Sequence, residues 1–252
     1  MSAGEWQGLT EEIARWREAR LPLRLWLRDD DAIAPTPALE RLIALARRHR
    51  VPILLAVIPA LAGPALAARL AEEPLLSPCQ HGVAHVNHAG AGDKKAELGA
   101  RRPLDAVLAE LAAGRGRMRA RFGPRALPVL VPPWNRVARE VVDRLPGLGF
   151  AALSAFGPPL VAAPPGLASI NCHLDIVNWR EDRASFPQAV LTARLATLLG
   201  EARMRGGGPV GILLHHLVHD ENAWTWLDKL CARVGAETDD AWARATEFYT
   251  GS

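Results

Sequence analysis

The chain has 252 residues, 49% of them apolar and 23% charged, with a formal net charge of +3 at pH 7. That composition excludes a disordered chain, and so small a charge on dispersed arginines argues against a nucleic-acid partner. Cys79, Cys172 and Cys231 are far apart and form no CxxC pattern, which reads as free thiols in a reducing compartment.

The first twenty residues carry acids and lack an apolar core, so they are read as a helix at Leu9–Glu18 and not as a signal peptide. A strand at Leu23–Arg28 precedes a helix over Thr36–Arg50, with Thr36 as N-cap and Pro37 in the first turn. Strand Pro52–Ile58, helix Pro64–Glu72, strand Leu75–Cys79 and a long helix Pro103–Phe122 follow. Next come strand Leu127–Val131, helix Val137–Leu145, strands Phe150–Ser154 and Leu167–Cys172, and helix Phe186–Arg205. The run Gly206-Gly207-Gly208-Pro209 stops that helix before strand Val210–Leu214 and helix Glu221–Val234. No stretch approaches the ~20 apolar residues of a membrane helix, so a cytoplasmic protein without a membrane partner is expected.

Strand–helix alternation without a composition break predicts one parallel α/β domain over residues 1–252. Polar groups follow the ends of most strands: Asp29–Asp31, His81, Pro132-Pro133-Trp134, His173 with Asp175, and His215. They converge only if the strands ring a common axis, whereas an open sheet would gather them at one switch point. The expected fold is a distorted (β/α) barrel of about seven parallel strands.

Seven of the eight histidines fall in clusters or beside Asp175, and only His49 stands apart. In QHGVAHVNH, His81 and His85 have the spacing of one side of a helical turn and could share a divalent ion. His85 and His88 have the same licence, and Cys79 lies close enough to join. A catalytic zinc-type site takes three protein ligands, and the Asp29–Asp31 run is the nearest source of a carboxylate. Three adjacent aspartates repel one another, so a cation must offset them: a metal, or Arg28 just before them.

Together these residues resemble the polysaccharide deacetylase family, carbohydrate esterase family four. The resemblance rests on Asp30-Asp31, His81–His85, Pro132-Pro133-Trp134, Asp175-Ile-Val-Asn178-Trp179 and Leu213-Leu214-His215, in that order across about residues 23–220. It implies metal-dependent removal of an acetyl group from an amino-sugar-type substrate. Asp31, His81 and His85 would hold one divalent ion, with zinc the expected metal. Asp30 would be the base, His215 the acid and Asp175 the charge partner of His215 or of an arginine. A register with Asp29 as base and Asp30 as ligand stays open.

Trp134, Asn135, Arg136 and Trp179 are the candidate substrate contacts; Trp26, Trp224, Trp226 and Asn87 are weaker ones. Val131 stands where the family has an arginine that orients the base, and Arg136 or Arg28 is the candidate replacement. Asn178 replaces an aspartate, while His88, His216, His219 and Asp220 have no assigned role. These departures, with no export signal, point to a divergent branch acting on something other than a polysaccharide. Two other readings compete: a non-catalytic carbohydrate- or metal-binding domain, and a non-haem iron oxygenase built on His173-Leu-Asp175. The oligomeric state has no signature in the sequence.

Overall fold

The computed structural model describes residues 4–158, 163–181, 183–238 and 240–249. Its strands are β1 (Leu25–Ala32), β2 (Ile53–Val57), β3 (Leu76–His81), β4 (Val129–Val131), β5 (Ala152–Leu153), β6 (Ala168–Ser169), β7 (Cys172–Asp175) and β8 (Val210–Leu214). Its helices are α1 (Gly4–Glu18), α2 (Pro37–His49), α3 (Pro64–Ala71), α4 (Leu104–Phe122), α5 (Arg139–Val142), α6 (Gln188–Met204) and α7 (Glu221–Glu237). The Thr36 hydroxyl accepts the Leu39 N–H at 3.1 Å, as an N-cap should. Helix α5 is a single turn, because Pro146 breaks the run expected to reach Leu145 and starts a separate 3-10 turn.

All the pairings between strands are parallel, in the order β6-β5-β4-β3-β2-β1-β8-β7. The two outermost strands are consecutive in the chain, separated only by Ile170 and Asn171. The Cys172 N–H donates to Ala155 O at 3.0 Å and its carbonyl accepts from Gly157 at 2.7 Å. On its other side Cys172 is in register with Gly211 of β8. The sheet therefore curls until its ends meet at one residue.

The count is eight and not seven because the expected sixth strand bends into β6 and β7. Asn171 lies between them, and its side chain replaces ladder bonds. It accepts from Ala155 N–H at 2.8 Å and donates to Gly157 O at 2.9 Å.

Alternation along the strands sorts side chains between two cores. Ile53, Leu55 and Val57 of β2 face the helices, while Leu54 and Ala56 point inside the curl. In β1, Leu25 and Leu27 face the helices and Trp26 points inside. The inner core is small: Trp26, Leu54, Ala56, Cys79, Val131, Cys172 and Leu213 are among its members. Gly211 must be glycine for this packing, since a Cβ there would lie 2.6 Å from the Trp26 ring. Among the described residues no helix is long and apolar enough to cross a membrane.

Candidate metal centre and cleft

The aspartate run does not follow β1; it forms the end of that strand, and alternation sends its members to different places. Asp29 faces the helix layer, fully buried, where its carboxylate accepts the His216 N–H at 2.9 Å and meets His216 Nδ1 at 2.5 Å. Burial disfavours a charge on His216, but Asp29 outweighs it and raises the imidazole pKa. Asp30 points the other way, inside the curl. Asp31 breaks the alternation: its φ is 73°, at an irregularity in the β1–β2 register, and this turns its carboxylate into the cleft. With both Asp29 oxygens committed to His216, the Asp29/Asp30 register has no geometric support.

Arg28 lies two residues before Asp30 and so on the same face of β1. It is fully buried and grips Asp30 with a fork, Nε to Oδ1 and Nη2 to Oδ2, both at 2.9 Å. Its remaining donors reach Asn135 Oδ1 at 2.7 Å, Ser154 O and Oγ at 2.9 Å, and Ala155 O at 3.0 Å. Arg136 instead donates to Lys95 O at 2.8 Å. Arg28 is thus the cation beside Asp30, and Val131 is an inner-core residue.

His81 ends β3, and its Nε2 lies 3.1 Å from Asp31 Oδ1; His85 Nε2 lies 3.4 Å from the same oxygen. The HxxxH pair is not on a helical turn. Gly82 (φ 51°) and His85 (φ 59°) bend the chain into a loop. That loop is organised by a residue the sequence reading passed over, the buried Glu97. Its carboxylate accepts from the Val83, Ala84 and Val86 N–H groups at 2.9, 2.8 and 3.3 Å. In the run Asp93-Lys94-Lys95-Ala96-Glu97 nothing sets this glutamate apart from a solvated charge cluster. His88 lies outside the group; its N–H donates to Ala96 O at 2.9 Å.

Among the described residues, Asp31, His81 and His85 form the one group of three whose donor atoms all lie within 4.8 Å of one another. Whether they suit a cation is testable on the atoms. His81 Nδ1 lies 3.0 Å from Val131 O, which fixes the proton on Nδ1 and turns the Nε2 lone pair towards Asp31. Asp31 Oδ1 is buried and accepts no hydrogen bond. The contact between His81 Nε2 and Asp31 Oδ1 calls for a positive charge between the two atoms. That charge is either a second proton on His81, whose pKa burial pushes down but Asp30 and Asp31 raise overall, or a metal ion. Two imidazoles and a carboxylate are a donor set that fits a metal. Burial pushes the Asp31 carboxyl up, but His81, His215 and His85 pull it down to about 2. Cys79 is not in this group; it belongs to the inner core, where burial pushes its thiol well up. His173 and Asp175 belong to no such group either, and His173 Nδ1 accepts the Gly211 N–H at 3.1 Å.

Across the cleft, the His215 ring packs edge-on against Trp179, with centroids 4.7 Å apart. Asp175 accepts from Trp179 Nε1 at 2.8 Å and Val177 N–H at 3.0 Å. Burial raises its pKa, against a lowering by nearby His215. His219 Nε2 accepts the His215 N–H at 3.1 Å, and burial lowers its imidazole pKa to about 4. Asp220 caps α7 by accepting the Ala223 N–H at 2.7 Å.

The Pro132-Pro133 turn carries Trp134 and Asn135 in consecutive left-handed conformations, φ 55° and 56°. Trp134 packs against the His85 ring at 4.3 Å. All ten residues named above as candidate base, acid, charge partner, ligands and substrate contacts line a single cleft of about 640 Å³, joined by Lys95, Arg183 and Val218. Trp26, Trp224 and Trp226 do not reach it; they are buried in the cores. Asn87 turns into its own loop, accepting from Ala89 and Ala96 N–H.

No family model matches the chain, and no curated protein does. Solved structures do. A protein described as a polysaccharide deacetylase from Mycobacterium smegmatis has a TM-score of 0.66 at 14% identity, covering 90% of each chain. A peptidoglycan N-acetylglucosamine deacetylase solved with a naphthalenyl N-hydroxybenzamide has a TM-score of 0.62 at 13% identity, covering 92% of this chain and 90% of its own. A family 4 carbohydrate esterase pseudoenzyme from Bacillus anthracis has a TM-score of 0.59 at 14% identity, covering 90% of this chain and 66% of its own. The chain has the curled (β/α) fold of the family 4 carbohydrate esterases.

Proposed function

We propose that the chain is a divergent family 4 carbohydrate esterase, a metal-dependent hydrolase of a C–N amide bond that removes an acetyl group from an amino-sugar or related acylated amine. The observation that carries the reading is the pairing in one cleft of an arginine-held carboxylate, Asp30, with an unpartnered carboxylate oxygen facing two imidazoles. Asp31, His81 and His85 would hold one divalent ion, with zinc the metal this nitrogen and oxygen set favours. Bound there, the ion would supply Lewis acidity and lower the pKa of water.

The chain's own residues account for the proton movements. Asp30 has two lone pairs on each oxygen, so the Arg28 fork leaves it free to accept a proton from the attacking water. As the water oxygen bonds to the carbonyl carbon, the carbon–nitrogen bond weakens. His215, on the other wall, donates a proton to the departing nitrogen, releasing acetate and free amine. Asp175 would be the charge partner of His215 across the cleft. Trp179 and Trp134 offer ring faces for stacking, and Asn135 and Arg136 offer polar contacts. The three buried, unpaired thiols support a reducing compartment, the cytoplasm.

A second reading, a metal- or carbohydrate-binding domain without turnover, draws on the pseudoenzyme among the similar structures. One experiment separates the two: metal content and acetate release measured together for wild type, Asp31→Ala and His215→Ala. The hydrolase reading expects Asp31→Ala to lose both, and His215→Ala to keep metal while losing activity by about 10²–10⁴-fold. Bound metal with no acetate released by wild type from any N-acetylated amino sugar favours the second reading.

A further inference from the structure

Three cations line the cleft beside its acids: Lys95, Arg136 and Arg183. Among the described residues none of the three forms an ion pair. The nearby Asp93 is taken by Arg101 at 2.6 Å. The more buried acids of the cleft are engaged with other groups. Asp30 is held by the Arg28 fork, and Asp31 faces His81 and His85. Asp175 is bonded to Trp179 and Val177.

Two of the cations are also built into place. The Lys95 ammonium lies 6.0 Å from the Trp134 ring centroid, and Arg136 donates to the Lys95 carbonyl at 2.8 Å, which ties the two loops together. Arg183 extends, exposed, from the segment after Trp179, with φ 64°. A cleft whose acids are held by other groups, and whose rim carries three cations with no ion pair among the described residues, presents positive charge to an anion.

We infer that the substrate carries, as well as its acylated nitrogen, a negatively charged group, a carboxylate or a phosphate, and that Lys95, Arg136 and Arg183 receive it. This rests on the cleft being the deacylase site proposed above. A neutral polysaccharide gains only hydrogen bonds from these side chains, whereas a small acidic amino-sugar derivative gains charge pairing as well. Exposed pairs of this kind contribute roughly twofold apiece in affinity, so about tenfold together at low salt, and screening by salt removes most of that.

The test uses zinc-loaded Asp30→Asn protein, so that no probe is turned over. Titration calorimetry compares three probes: N-acetylglucosamine, its 6-phosphate and its 3-O-lactyl ether. We expect at least one anionic probe to bind about tenfold more tightly than the neutral one in 20 mM NaCl. The preference should collapse in 300 mM NaCl and in the Lys95→Gln/Arg136→Gln/Arg183→Gln background. The better of the two anions identifies phosphate or carboxylate as the group received. Equal affinities, a preference untouched by the triple substitution, or no binding of any probe overturns the inference.

Acetate release by wild type keeps the two claims apart. Turnover of the neutral sugar without an anion preference sinks only the anionic substrate. An anion preference without turnover of any probe by metal-loaded wild type sinks the hydrolase and leaves the anion site.

Discussion

Replacing Arg28 by methionine tests the account of the cleft most directly. The guanidinium and the Asp30 carboxylate are both buried, at 0% and 3% side-chain exposure, and the substitution leaves Asp30 charged with its fork gone. It also strips donors from Ser154 O and Ala155 O. Removing one partner of such a buried pair costs about 3–5 kcal/mol. At about 2–4 °C per kcal/mol for a chain of this size, the melting midpoint should fall by about 10 °C. Thermal and urea unfolding in EDTA would measure this without any contribution from bound metal. The double variant Arg28→Met/Asp30→Leu removes the orphaned charge as well, and should recover at least about 2 kcal/mol of the loss. A single variant melting within about 2 °C of wild type, or a double variant no more stable than the single, would refute the buried pair as described.

Other outcomes follow from the same geometry. Glu97→Ala frees the three N–H groups that shape the His85 loop, and affinity for a divalent metal should drop about 10–100-fold by chelator competition. Gly82→Ala puts a Cβ 2.5 Å from the Pro133 ring at a φ of 51°, so it should lower both the melting midpoint and metal affinity. The His219 imidazole is held near 4 when folded, against an ordinary value of 6.5. A depressed pKa means that the folded state binds fewer protons, so stability is full above pH 6.5 and falls as pH drops towards 4. The loss is about 3 kcal/mol, from 1.36 kcal/mol per pH unit. His219→Gln keeps an acceptor for the His215 N–H but cannot titrate, so its stability should change less over that window; an unchanged slope would count against the assignment.

Much of this was legible in the sequence because strands and helices carry their own periods. Alternation in Ile53–Val57 and the cap at Thr36 need no tertiary information. The eighth strand was not legible, since nothing in Leu167–Cys172 says that the Asn171 amide will replace a ladder bond and bend the chain. The His81 and His85 pairing was visible as spacing, but spacing of four fits a helical turn and a bent loop alike. Glu97, which chooses the loop, lies twelve residues beyond His85. The choice between Arg28 and Arg136 depended on which side chain turned inward, and β-strand parity then divides Asp29 from Asp30. Lys95 and Arg183 carried no motif; their meaning comes only from sharing a wall.

Arg28 and Asp30 lie on alternate positions of one strand, so the proposed base and its cation share a rigid backbone. Val131 at the end of β4 cannot supply that cation, and the loop bearing Trp134 and Arg136 reaches it through the Asn135 contact. Under the proposed function, Asn135 is thus the joint between the buried pair and the substrate-facing loop. Changes at Trp134, Arg136 and Lys95 can reshape that side of the cleft while the Arg28–Asp30 pair stays fixed in the strand.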